Sequence, residues 1–165
     1  MMVQQRKSTT NEPRERQMRS EYIAKYLMGK DWHTEYPLGN VIALSDMSKY
    51  TDAQLRALTV RKARADLVVA YSDHLSIIEF QILPRWSKFG QLLAYLELAR
   101  QTDSLQAFRS LPIRGILVSG VEDPFIHSLC EKYGLEYEIY SPAWLPLYFE
   151  TLRPRDYTPL QVQPI

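Results

Sequence analysis

Two carboxylates stand inside apolar stretches of the chain, where an unpaired charge is costly to bury. Residues 65–71 read Ala-Asp-Leu-Val-Val-Ala-Tyr and contain Asp66, and residues 75–82 read Leu-Ser-Ile-Ile-Glu-Phe-Gln-Ile and contain Glu79. Removing an ionised carboxylate from water is unfavourable unless a partner compensates for it. Gln81 follows Glu79 by two residues and therefore shares its face of a strand. Two carboxylates and an amide directed at one patch are the arrangement that a hard divalent cation needs.

The elements that must position these side chains are predicted to be the strands of a β-hairpin. Both stretches are rich in apolar, β-branched residues and are joined by the polar turn Ser72-Asp73-His74, which is typical of a hairpin. Pairing across this turn places Tyr71 and Leu75 beside it, so that Asp66 and Glu79 lie at about the same depth on neighbouring strands. The pattern fixes the register no more finely. It leaves two alternatives open, partners in one site or unrelated residues at strand ends.

A helix is predicted to follow the hairpin from Lys88 to Arg100, after a proline that stops the second strand. Ser87 is the expected N-cap residue. Lys88, Gln91 and Tyr95 recur at i, i+3 and i+7 and form a second, more polar face of this helix. Its apolar stripe consists of Phe89, Leu92, Leu93, Leu96 and Ala99.

The rest of the chain alternates between predicted helices and strands. The predicted helices are one that begins at Asn11-Glu12-Pro13 and ends at Gly29, a short one at 52–58, one from Glu122 to Gly134 and one within 142–152. The predicted strands are 34–38, after a connector at 30–33, then 112–119 and 137–140, and 102–110 is expected to be loop or frayed helix. This order predicts an α/β fold in which helices flank a central mixed sheet.

Length and composition predict a single soluble domain. The chain has 165 residues, of which 45% are hydrophobic and 24% charged, as in ordinary globular proteins. The domain is expected to span 11–152, between a disordered tail at 1–10 and an extended tail at 153–165. One cysteine, Cys130, excludes an internal disulfide and fits a reducing compartment. With no secretory signal and no apolar run of about 18 residues, we expect a cytoplasmic protein without a membrane partner.

Charge and motif spacing narrow the function further. The formal net charge is +1, so any basic surface for nucleic acid must be local. Such a surface is present at Arg61-Lys62-Ala63-Arg64, just before the strand with Asp66; it is either a solvated rim or a grip on phosphates. The sequence contains no phosphate-binding loop, dinucleotide fingerprint or nucleophile elbow. One cysteine and three scattered histidines do not make a common structural zinc site.

The motifs and their order resemble a known group of enzymes. Asp66, followed after a hairpin by Glu79-x-Gln81 in an αβββαβ order, resembles the core of the PD-(D/E)xK nuclease superfamily. The segment 91–95, Gln-Leu-Leu-Ala-Tyr, is similar to the Gln-x-x-x-Tyr signature of its RecB-like branch. The resemblance extends from about Glu21 to Tyr140. It implies a restriction-endonuclease-like fold and metal-dependent hydrolysis of nucleic acid, with DNA favoured, and Mg²⁺ as the cofactor for which Mn²⁺ can substitute.

The resemblance also implies roles for individual residues. Asp66 and Glu79 correspond to the metal-binding acids, aided by the main-chain carbonyl of Phe80, and Glu21 matches an acid that some members carry on the first helix. Gln91 and Tyr95 correspond to substrate-facing residues. Arg61, Lys62 and Arg64 are predicted to bind substrate from their location beside the strand with Asp66, and not from the resemblance. The resemblance further implies that the ligand is nucleic acid, and that the protein forms a homodimer or is a subunit of a larger nucleic-acid-processing complex.

The sequence departs from the family pattern at Gln81, which stands where the family has lysine. An amide orients water but carries no charge and cannot act as an acid or a base. Lys88, which shares a helix face with Gln91 and Tyr95, is predicted to supply the missing ammonium. The alternatives are a nuclease fold that binds nucleic acid or a protein without cutting, and a structural α/β protein whose two acids face water.

Overall fold

The computed structural model describes residues 12–39, 48–60 and 63–152. Its helices are α1 (Glu12–Tyr26), α2 (Asp52–Val60), α3 (Trp86–Gln101), α4 (Pro124–Lys132) and α5 (Leu145–Thr151), with a 3₁₀ helix at Asp103–Phe108. Its strands are β1 (Asp31–Pro37), β2 (Arg64–Ala70), β3 (Leu75–Gln81), β4 (Ile113–Ser119) and β5 (Glu136–Ile139). The tails predicted at 1–10 and 153–165 lie outside the described residues.

The five strands form one mixed sheet in the order β1-β2-β3-β4-β5. β1, β2 and β3 form an antiparallel meander, whereas β3, β4 and β5 are parallel. Parallel neighbours need crossover connections, and these contain α3 between β3 and β4 and α4 between β4 and β5. The predicted α/β fold with a mixed sheet flanked by helices is therefore confirmed.

Both faces of the sheet are covered. Every residue of β3 is buried, as expected for a central strand between two helical layers. Ile77 of β3 packs with Leu92 and Ile126 from α3 and α4, whereas Phe80 packs with Met18 of α1 on the opposite face. Alternate residues of β3 therefore point to different layers, and the face with Ile77 also carries Glu79 and Gln81, as the alternation predicted.

Three predictions about local structure are corrected. Residues 31–33 are not a connector, because β1 begins at Asp31 and pairs along its length with β2, with Asp31 opposite Ala70. Helix α3 begins at Trp86 with Arg85 as its N-cap, not Ser87. The segment predicted as loop or frayed helix contains an ordered 3₁₀ helix at 103–108. Within the described ranges, no helix combines the length and apolar character that crossing a membrane requires.

Candidate active site at the ends of two strands

The two carboxylates of the hairpin take over hydrogen bonds that the β ladder would otherwise make. The β2–β3 pairing extends to Leu67 opposite Ile78. Beyond this pair, the main-chain N–H of Asp66 donates to Glu79 Oε1 at 2.8 Å, and the N–H of Phe80 donates to Asp66 Oδ2 at 2.9 Å. Buried main-chain donors need acceptors, so these bonds both satisfy the backbone and fix the two carboxylates next to each other.

Helix α3 brings an ammonium to the same two carboxylates. Lys88 Nζ lies 2.9 Å from Asp66 Oδ2 and 2.9 Å from Glu79 Oε2. Glu79 has no exposed side-chain surface, while Lys88 and Asp66 are 14% and 20% exposed. The structure therefore brings together Lys88 and the two acids that the sequence singled out. Charge-assisted hydrogen bonds of this kind are stronger than neutral ones.

Burial and proximity shift the pKa values of the site in opposite senses. Burial, reinforced by the charge of Asp66, raises the pKa of Glu79 to about 7, against the lowering effect of Lys88. Burial alone would lower the pKa of Lys88, but Glu79 and Asp66 together raise it above its ordinary value. Lys88 is consequently a cation at neutral pH, and Glu79 changes protonation close to neutrality.

A buried arginine from α1 supports Asp66 from the other side. Arg19 Nη1 donates to Glu35 Oε1 at 2.7 Å and to the main-chain oxygen of Asp66 at 3.1 Å, and lies 3.4 Å from Asp66 Oδ1. Glu35 adopts φ +52° in the middle of β1, although its neighbours Thr34 and Tyr36 pair regularly with β2. A left-handed backbone costs an L-residue about 1–2 kcal/mol. Strain of this kind is often concentrated at functional sites.

These side chains surround a cavity of about 240 Å³. It is lined by Glu15, Arg16, Arg19, Glu35, Asp66, Phe80, Arg85 and Lys88. Glu15 Oε1 is buried and has no hydrogen-bond partner among the described residues; Arg85 Nη2 is 3.8 Å away. Burial raises the pKa of Glu15, while Lys88 and Arg85 lower it. The cavity thus combines acids that suit a metal ion with cations that suit a phosphate.

Other predicted site residues lie elsewhere in the structure. Glu21 accepts hydrogen bonds from Trp144 Nε1 at 2.9 Å and Gln17 Nε2 at 3.0 Å, and it does not line the cavity. Tyr95, a residue of α3, is buried in the core and is hydrogen-bonded to Gln91. The structure does not bring this pair into the cavity.

The basic segment and the motif glutamine are also placed differently from the site acids. Arg64 is exposed on β2 and directs Nη1 to the main-chain oxygen of Glu35 at 3.4 Å, outside the cavity lining. Arg61 and Lys62 lie outside the described residues. Gln81 is fully buried; its Oε1 accepts the N–H of Arg85 at 2.9 Å. Its amide therefore holds the N-terminus of α3, the helix that carries Lys88.

The sequence analysis missed five of the cavity residues, namely Glu15, Arg16, Arg19, Glu35 and Arg85. Glu15 and Arg19 are spaced i, i+4 on α1, so a shared face was visible in the sequence. The sequence did not show which face of α1 meets the sheet, because packing against residues distant in the chain decides it. For Glu35 the sequence holds no signal, since a left-handed backbone is uncommon for glutamate.

The donors around the cavity were tested against the Mg²⁺ that the resemblance implies. In the described part of the chain, no three His, Cys, Asp or Glu side chains are grouped closely enough to hold a metal as they are placed. The chemistry nevertheless fits, because a buried carboxylate oxygen that lacks a hydrogen-bond partner, such as Glu15 Oε1, calls for a closer cation or a water than Arg85 at 3.8 Å provides. Asp66 lines the same cavity and supplies carboxylate oxygens of the kind that Mg²⁺ prefers.

The fold and the site together define an α/β protein with acids and a lysine at the end of a hairpin. No family model matches the sequence. No curated protein matches it either.

Solved structures do show similarity. A repair endonuclease from Pyrococcus abyssi matches with a TM-score of 0.50 and 16% identity, over 76% of this chain and 46% of that chain. A structure described as an EndoMS–dsDNA2 complex matches with a TM-score of 0.45 and 18% identity, over 86% of this chain and 49% of that chain. This chain spans less than half the length of either. The first likeness shows that the fold is shared with a repair endonuclease.

Proposed function

We propose that this chain is a metal-dependent nuclease that hydrolyses phosphodiester bonds, with DNA as the favoured substrate. The observation that carries the proposal is the convergence of Asp66, Glu79 and Lys88 beside a cavity rich in arginine. The fold shared with a repair endonuclease supports it. Because the chain spans 46% of that structure's chain, the substrate and partners of the whole protein are part of this proposal.

Asp66, Glu79 and the main-chain carbonyl of Phe80 would hold Mg²⁺, with Mn²⁺ as a substitute. Glu15 would be the contribution of α1, because Glu15 lines the cavity and Glu21 does not. When bound, the metal supplies a Lewis acid for the phosphoryl oxygen and a water of lowered pKa. Glu79 must be ionised to act as a ligand, and since burial raises its pKa to about 7, a metal that binds below that pH must displace a proton from it.

Lys88 would provide the positive charge that the motif lacks at Gln81. Its ammonium contacts both acids, remains protonated and is held in place by them. A fixed cation next to the scissile group stabilises the negative charge that develops on phosphoryl oxygens during hydrolysis. Arg85 and Arg16, at the edge of the cavity, would bind neighbouring phosphates as positioning contacts that carry no sequence information.

The test is cleavage of single- and double-stranded DNA and RNA with Mg²⁺, with Mn²⁺ and with a chelator. We expect cleavage with either metal, none with the chelator, and a loss of at least about 100-fold in Asp66→Ala and Glu79→Ala. Glu97→Ala, an exposed acid on the same helix as Lys88, is the matched control and should cleave as the wild type does. No cleavage under any of these conditions contradicts the proposal.

A second candidate is a nuclease fold that binds nucleic acid or a protein partner without cutting. It is favoured by one observation, the ammonium of Lys88 bound to the oxygens that a metal would need. This candidate predicts binding without cleavage and equal binding by Asp66→Ala. A homodimer or a subunit of a larger complex is compatible with both candidates.

A further inference from the structure

Two large aromatic side chains are exposed to solvent near the site and contact each other. Trp86 is 59% exposed and Phe125 is 57% exposed. Their ring centroids are 4.7 Å apart, with the ring planes tilted by 54°. Two exposed rings in contact offer a small apolar surface on which a flat ligand can stack. Neither ring is needed for the arrangement of Asp66, Glu79 and Lys88.

The topology places this aromatic pair at the carboxyl ends of β3 and β4, the same end of the sheet as the cavity. Trp86 begins α3, directly after β3, and Phe125 lies in the first turn of α4, after β4. Because β3 and β4 are parallel neighbours, with Gln81 opposite Ser119, both helices begin at the carboxyl end of these strands. Trp86 and Lys88 are two residues apart on α3 and therefore point to opposite sides of its first turn. Arg85, which lines the cavity, is the residue next to Trp86.

We propose that Trp86 and Phe125 form a stacking platform for an unpaired nucleobase of the strand whose phosphate enters the cavity. This proposal rests on the proposed function and adds a substrate class to it. Aromatic rings stack on the face of any base, and such faces are accessible only where a base is unpaired or extruded from a duplex. The preferred substrate is therefore nucleic acid with an unpaired nucleotide close to the scissile bond.

The surroundings of the pair favour a nucleic acid over a second copy of the chain. Aromatic side chains bury 150–250 Å² each, so two rings that are just over half exposed offer at most about 300 Å². A stable protein interface needs about 800 Å² from each partner. The acids beside Phe125 are engaged within the protein, because Asp123 caps α4 and Glu122 contacts His127 at 2.8 Å.

The experiment measures binding without cleavage. Fluorescence anisotropy of a labelled 12-nucleotide oligothymidylate and of a blunt duplex is recorded in chelator, for the full chain and its variants. We expect Trp86→Ala to weaken oligothymidylate binding about 10-fold, with duplex binding changed less than about twofold. Trp86→Phe keeps a ring and should retain most of the affinity. Trp32→Ala removes an exposed tryptophan (39% exposed) on the edge strand β1 and should have no effect.

The platform is overturned if Trp86→Ala binds oligothymidylate as tightly as the wild type does. It is also overturned if Trp86→Ala loses the same affinity for oligothymidylate and for the duplex, or if the wild type binds neither. Sedimentation of the same samples detects a dimer, and a dimer that Trp86→Ala dissociates without changing DNA affinity assigns the rings to a second copy and overturns it too. Trp86-dependent binding by a wild type that never cleaves contradicts the proposed function alone. Cleavage and binding that are indifferent to Trp86→Ala contradict the platform alone.

Discussion

The ammonium of Lys88 lies 2.9 Å from Oε2 of Glu79, a carboxylate with no exposed side-chain surface. Burying such an ion pair costs several kcal/mol of desolvation for each ion, on the order of what their attraction returns. An apolar pair would hold α3 against β3 at least as well. We therefore attribute the pair to function, with Asp66 as its third member and its more exposed end.

Removing Lys88 should affect both stability and cleavage. Lys88→Ala leaves Glu79 buried without its cation, which we expect to lower the free energy of unfolding by about 3 kcal/mol. Cleavage should fall at least about 100-fold, because a fixed charge at the reacting group is lost. Urea denaturation and single-turnover cleavage measure the two effects. Cleavage at the wild-type rate would show that Lys88 does not replace the lysine of the motif.

A double variant separates the two effects of Lys88. Lys88→Met with Glu79→Gln removes both charges while keeping their volumes, and the amide oxygen can still accept the N–H of Asp66. The fully buried charge of Glu79 is gone, and Asp66, which is 20% exposed, keeps the Phe80 N–H and the nearby Arg19 guanidinium. The free energy of unfolding should therefore return to within about 1 kcal/mol of the wild type. Cleavage should stay absent. Recovery of cleavage with recovery of stability would mean that Lys88 has only a structural role.

The elevated pKa of Glu79 predicts how stability depends on pH. In the unfolded chain this carboxyl loses its proton near 4.5, whereas in the folded protein it keeps it until about pH 7. Between these values the folded state binds more protons, so the free energy of unfolding falls as pH rises, by at most about 3 kcal/mol. Lys88 remains charged throughout this range. Urea denaturation at pH 4.5 to 8 should therefore show a fall that Glu79→Gln lacks; parallel profiles would contradict the shift.

The strand and helix periods account for the part of the site that could be predicted from the sequence. The two-residue period of the hairpin placed Asp66 and Glu79 together, and the helical period put Lys88 on a separate face from the apolar stripe of α3. The same period put Tyr95 on the face of Lys88, and the resemblance implied that it faces substrate, yet Tyr95 is buried. A period defines which residues share a face, but the twist and packing of the sheet decide how much of that face reaches the cavity.

The contributions of α1 and β1 could not be predicted in this way. Glu21 looked like the acid of the first helix, but the docking of α1 directs Glu15 and Arg19 to the cavity. That docking depends on contacts such as those of Met18 and Tyr22 with distant strands, which carry no local signal. The strained backbone of Glu35 in β1, which binds Arg19, likewise has no local signal in the sequence.

The strain at Glu35 can be measured by comparing two substitutions. Glu35→Ala and Glu35→Gly both remove the ion pair with Arg19, but only glycine adopts φ +52° without steric cost. We expect Glu35→Gly to have the higher free energy of unfolding, by about 1 kcal/mol. Glu136→Ala and Glu136→Gly, on the edge strand β5, give the ordinary order, with glycine less stable. The same order at both positions would show that the backbone at residue 35 is unstrained.

Gln81 stands where the resemblance to PD-(D/E)xK nucleases would place a lysine, and its contacts predict that introducing a lysine there does not assist the site. The amide oxygen accepts the N–H of Arg85, and the nitrogen lies 3.4 Å from Ser119 Oγ, so the side chain is directed at the start of α3. Gln81→Lys offers no acceptor to that N–H, which should lower the free energy of unfolding by about 1–3 kcal/mol. Gln101→Lys, at the exposed end of α3, is the control and should change it by less than about 0.5 kcal/mol.

The same contacts predict the outcome in a chain that lacks Lys88. If position 81 pointed to the two acids, Gln81→Lys would restore cleavage to Lys88→Ala, because a lysine there would supply the lost ammonium. Its bond to the Arg85 N–H directs it elsewhere, whereas Lys88 contacts both acids. We therefore expect the double variant Gln81→Lys with Lys88→Ala to cleave no faster than Lys88→Ala in single-turnover assays. A gain of 10-fold or more would show that a lysine at position 81 reaches the site. In that case Gln81 reduces cleavage, and Lys88 does not replace the lysine of the motif.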